Sequence, residues 1–89
     1  MKTYKYTIRG RVQGVGFRYF VYRKAIELEI KGTVRNKMDG SVEVISQGDE
    51  DKINIFESLL NKGPIGARVD KVIKEEIDVE PFKNFNIIG

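Results

Sequence analysis

Gly10-Arg11-Val12-Gln13-Gly14-Val15-Gly16-Phe17-Arg18 is the stretch over which the hydrophobic period of the chain changes, and that change decides the fold. Upstream, Tyr4, Tyr6, Ile8 and Val12 alternate with Lys5, Thr7, Arg9 and Arg11, the period of a half-buried strand. Downstream, Val21, Ala25 and Leu28 recur at i, i+4 and i+7, which predicts a helix of about three turns with one face packed. Three glycines, an aromatic residue and an arginine therefore stand at a strand-to-helix junction.

Working outward, Lys31-Gly32 is expected to end that helix and Thr33-Val34-Arg35 to begin a second strand. The Asp39-Gly40 pair signals a hairpin, with Val42, Val44 and Ile45 in the returning strand. Asp49 and Asp51 are candidate N-caps of a second helix whose apolar face is Ile53, Phe56, Leu59 and Leu60, stopped at Gly63-Pro64. Val69 to Val79 is β-branched and reads as a fourth strand, and Phe85 to Ile88 as a short extra strand at the C-terminus. The order predicts one domain over residues 1–89: an α+β, ferredoxin-like βαββαβ sandwich, with an antiparallel sheet and two helices on one face. A right-handed crossover makes the first two strands parallel, so their C-terminal ends share one sheet edge. Asn36, at the end of the second strand, then faces the edge that carries Gln13 to Arg18.

Composition narrows the chemistry. Eighty-nine residues, 40% hydrophobic and 33% charged, describe a globular domain able to enclose one core. The absence of cysteine excludes a thiolate nucleophile, and the absence of histidine removes the usual base near neutral pH and the commonest metal ligand. Met1 to Gly10 has no apolar core of a signal peptide and no segment is apolar enough to span a membrane, so a cytoplasmic location is expected. Residues 1–37 hold ten Lys/Arg against two Asp/Glu, net +8, whereas residues 38–89 hold six against eleven, net −5. The basic half contains the junction. Charge alone does not choose among a small phosphate, a nucleic-acid backbone and a solvated surface.

The junction has a chemical reading beyond a tight turn. Gly14 and Gly16 allow backbone conformations that other residues resist, and so let N–H groups turn toward one oxyanion. The first turn of the following helix adds unpaired N–H groups and the positive end of its macrodipole. Arg18 supplies a planar fork that can hold two phosphate oxygens, and Phe17 is expected to point inward. Neither GxxxxGK[ST] nor GxGxxG is present.

GRVQGVGFR followed by KGTVRNKMDGSVEV resembles the acylphosphatase family, which hydrolyses carboxylic-phosphoric anhydrides. The resemblance continues through QGDED and KGPIGARVD over nearly the whole chain. It implies that Arg18 is the phosphate-binding arginine, that Asn36 orients the attacking water, and that Gln13, Gly14, Val15, Gly16 and Phe17 form the phosphate-cradling loop. It further implies a monomeric enzyme acting on small acyl phosphates, releasing inorganic phosphate, with no metal or other cofactor, no nucleic-acid partner and no membrane. The chain departs from the family pattern at Glu29, where a glycine is often found, and at Thr33, where an aromatic residue is common. Both positions bear on helix termination and packing.

Other features have plainer readings. Arg9, Arg11, Arg35 and Lys37 could steer anions but are read first as solvated strand charges, and Tyr4, Tyr6, Phe20 and Tyr22 as packing. A last strand ending at Gly89 could bring the terminal carboxylate to Arg18. The alternative functions are a ferredoxin-like RNA-binding domain and a non-catalytic anion-sensing domain. GVGFRYFVYR resembles the RNA-binding RNP1 motif, which belongs on a central strand, whereas here it is expected in a loop and a helix.

Overall fold

A computed structural model describes residues 2–89. Its elements are β1 (Thr3–Arg11), α1 (Phe17–Glu27), β2 (Lys31–Asn36), β3 (Val42–Gln47), α2 (Glu50–Lys62), β4 (Arg68–Ile77) and β5 (Phe85–Ile87). The sheet runs β4-β1-β3-β2-β5, the order of the ferredoxin-like α+β fold. Four of its strands pair antiparallel, while β5 lies parallel to β2 and makes the sheet mixed.

The alternation in β1 puts Tyr4, Tyr6 and Ile8 in the core with Val34 of β2 and Val42 and Val44 of β3. Phe17, Val21 and Ala25 cover that surface from α1, and Ile53, Phe56 and Leu60 from α2. At roughly 1.5–3 kcal/mol for each fully buried large apolar side chain, this shared surface is what commits both helices to one face. Phe17 is buried as expected, so the residue between Gly16 and Arg18 anchors the start of α1.

Helix α1 ends earlier than its sequence suggests. Leu28 caps it, Glu29 turns into the left-handed region at φ 58°, and Lys31 already belongs to β2. Gly32 is therefore a strand residue, and its lack of a side chain serves a close approach: a Cβ there would lie 1.8 Å from the Ile45 carbonyl oxygen of β3.

Register sets the distance across the functional edge. Val42 of β3 pairs with Ile8 on one side and with Asn36 on the other, which puts Asn36 two strand spacings from β1, about 10 Å. Strand β1 runs on past β3 as far as Arg11, still paired with Arg68 of β4 beyond an irregularity at Arg9/Gly10. The loop that follows therefore overhangs the turn between β2 and β3.

Candidate active site

The overhanging loop is built from two left-handed glycines, Gly14 at φ 75° and Gly16 at φ 77°. A Cβ at either would meet nothing within 4 Å. Space does not demand glycine here; backbone conformation does, since the left-handed region costs other residues about 1–2 kcal/mol. Gly16 is also the N-cap of α1, and it brings no side chain to cap the helix.

The start of α1 is consequently unneutralised. No acidic residue lies in its first turn, and no protein group among the described residues accepts from the N–H groups of Gly14 to Tyr19. Helix α2 provides the contrast, with Asp49 at its N-cap and Glu50 and Asp51 in its first turn. One helix answers its own positive end; the other presents it, reinforced by Arg18.

Arg18 and Asn36 meet at this end. Val12, Gly14, Gly16, Phe17, Arg18, Tyr19, Asn36 and Ile87 line one open cleft of about 240 Å³. Strand β5 closes its far side: Ile88 N–H donates to the Val34 carbonyl at 2.9 Å, and Arg18 Nη1 donates to the Gly89 oxygen at 3.4 Å. The guanidinium thus rests against the C-terminal run at a Gly89 oxygen.

Of the loop residues expected to cradle phosphate, Gly14, Gly16, Phe17 and Arg18 line the cleft. The side chains of Gln13 and Val15 lie elsewhere. Val15 packs against the core. The Gln13 amide Nε2 donates to the Lys37 carbonyl at 2.7 Å and to the Ser41 carbonyl at 3.0 Å, tying the loop to the turn that follows Asn36. That turn is stiffened from within by Asp39, whose carboxylate accepts from the Ser41 hydroxyl at 2.6 Å and the Ser41 N–H at 3.0 Å. These bonds, hydroxyl first, hold the Asp39 carboxyl below its ordinary pKa.

Two of the basic residues that could have steered anions are already paired. Arg35 makes a two-pronged contact with Glu43 at 3.0 and 3.3 Å, and Arg9 lies 3.5 Å from Asp39. Gly14 to Arg23, the RNP1-like string, runs through the loop and α1, with Phe17 and Val21 inside the core. Among the described residues no group of three or more His, Cys, Asp or Glu side chains converges to hold a metal.

Tyr19 and Ile87 are cleft residues that pattern reading did not single out. Tyr19 did carry a signal, being an aromatic residue off the buried Val21/Ala25 stripe and next to Arg18. Ile87 carried none, because only the parallel pairing of β5 brings it there.

The Acylphosphatase family profile matches residues 4–87. A curated acylphosphatase of Koribacter versatilis (strain Ellin345) is 45% identical over 99% of this chain and 81% of its own length. The crystal structure of an acylphosphatase from Bacillus subtilis superposes with a TM-score of 0.96 at 34% identity, covering all of both chains. HypF from T. kodakarensis contains a similar domain within a much longer chain, with a TM-score of 0.87 and 41% identity over 99% of this chain and 12% of that one.

Proposed function

Because the chain belongs to the acylphosphatase family and is a hydrolase of acid anhydrides, we propose how its cleft divides the work of splitting small acyl phosphates into carboxylate and inorganic phosphate. The supporting observation is the convergence of Gly14, Gly16, Arg18 and Asn36 in one cleft at the start of an uncapped helix.

The loop N–H groups and the Arg18 guanidinium hold the phosphoryl oxygens. Asn36 orients a water through its side-chain amide, which does not titrate and so acts as a positioner rather than a base. As the water oxygen bonds to phosphorus, the bond from phosphorus to the carboxyl oxygen breaks and its electron pair leaves with the carboxylate. The water's proton passes to a phosphoryl oxygen. The carboxylate is a good leaving group and the transition state is loose, so positioning and charge stabilisation carry the reaction. We further infer, as the family resemblance implies, a monomeric cytoplasmic enzyme that acts without a metal or other cofactor.

Steady-state kinetics on an acyl phosphate, in the presence of chelator, test this division. Arg18→Ala is expected to weaken inhibition by inorganic phosphate and to lower turnover roughly a hundredfold or more; Arg18→Lys should not restore it, because a point charge lacks the fork. Asn36→Ala should lower kcat with KM nearly unchanged. Wild-type turnover in Asn36→Ala would remove its assigned role.

A further inference from the structure

A second groove of about 290 Å³ opens beside the cleft, lined by Gly16, Tyr19, Phe20, Arg23, Lys24 and Pro64. It shares Gly16 and Tyr19 with the cleft, so the two adjoin at these residues. We propose that this groove receives the acyl group of the substrate and favours a flat aromatic one; the assignment rests on the reading of the cleft as the phosphoryl site.

Three observations carry it. The first is direction. Asn36 enters the cleft from the sheet, whereas Tyr19 borders it from α1; Phe20 and Pro64 line only the adjoining groove, from α1 and from just beyond α2. In-line displacement puts the leaving group opposite the water, and the side opposite Asn36 is the helix layer.

The second is surface chemistry. Tyr19 is 60% exposed although it is aromatic and stands next to Arg18. Phe20 is fixed beneath by an edge contact with the buried Phe17, ring centroids 6.2 Å apart. The Arg23 guanidinium lies 5.9 Å from the Tyr19 ring centroid and the Lys24 ammonium 5.8 Å from that of Phe20. Two rings and a proline offer apolar faces, and the Arg23 guanidinium a planar cation that stacks on aromatic rings, which together suit an aromatic group better than a short alkyl one.

The third is the distribution of exposed apolar side chains. Of the eight large ones among the described residues, Tyr19, Met38, Ile65, Ile87 and Ile88 stand at the end of the fold that carries the cleft. A phosphate alone needs no such rim.

The experiment compares kcat/KM for benzoyl phosphate and acetyl phosphate in the wild type, Tyr19→Ala and Tyr19→Phe. The benzoyl-to-acetyl ratio is expected to exceed one in the wild type, to fall about tenfold in Tyr19→Ala, and to return in Tyr19→Phe, which keeps the ring. A ratio unchanged in Tyr19→Ala overturns the groove assignment, whether both substrates fall together or neither does. The reading of the cleft itself fails by a different sign: a wild type that hydrolyses neither compound refutes both.

Discussion

Gln13 is the residue whose placement best separates two ways of building the site, because its amide ties the loop to the β2–β3 turn instead of lining the cleft. Replacing it with alanine removes two hydrogen bonds, and the cost follows from what the two acceptors keep. The Lys37 carbonyl still accepts Gly40 N–H at 3.1 Å, and the Ser41 carbonyl still accepts Lys37 N–H at 2.8 Å. Neither oxygen is stranded, so the loss is the net worth of two bonds, about 1–2 kcal/mol together. In a domain of this size that lowers Tm by roughly 4–16 °C. Lys37 follows Asn36 directly, so a loosened turn spreads the orientations of the amide that holds the water. Turnover should fall roughly tenfold. Inhibition by inorganic phosphate should hardly change, because Gly14, Gly16 and Arg18 are fixed by the backbone of the loop and by the buried Phe17. Thermal melts by circular dichroism, with kcat and the phosphate inhibition constant from steady-state kinetics, read all three effects. A variant that melts like the wild type while binding phosphate roughly tenfold more weakly would refute the clamp and return the Gln13 amide to the phosphate cradle.

Two further perturbations test the frame that holds the site. The Tyr6 phenol is buried and donates to Glu57 Oε2 at 3.2 Å; burial first, and then the neighbouring Glu57 carboxylate, raises its pKa well above the ordinary tyrosine value. The folded state keeps a proton that the unfolded chain releases near pH 10, so this contribution is complete below about pH 10 and is lost as pH climbs toward the raised folded-state value. Tm should therefore drop on the alkaline side, and Tyr6→Phe should flatten that drop; an equal slope in the variant would assign it to other groups. Glu29 is the only described residue other than glycine at positive φ, and its carboxylate pairs with Lys52 at the surface. Glu29→Gly relieves the backbone at the expense of an exposed ion pair of little value, so the melt should shift upward by a few degrees. A downward shift would mean that the pair, not the dihedral, governs this corner.

What could be read in the sequence divides by range. Local signals suffice for the existence of both helices, the hairpin and the succession of elements, since Tyr6 and Ile8 alternate, Val21 and Ala25 repeat, and Asp39-Gly40 turns, whatever lies elsewhere. The local pattern puts the end of α1 too late because Glu29 is a good helix former and Gly32 looks like a stop; only the family resemblance, with a glycine often at the Glu29 position, points to the left-handed turn there. The real constraint on Gly32, the Ile45 carbonyl against its Cα, lies across the sheet and leaves no local trace. The same holds in the site. Gly14, Gly16, Arg18 and the lack of any acidic residue in the first turn of α1 are contiguous, so an anion cradle was legible. Gln13 was readable only as a member of that loop, because its partners at Lys37 and Ser41 depend on β1 outrunning β3. Chemistry that depends on backbone geometry is thus written locally, whereas the alignment of Asn36 and the walls at Ile87 and Pro64 depends on register. Substitutions within the loop should therefore alter phosphate binding first, and substitutions that shift β2 against β3 should alter turnover first.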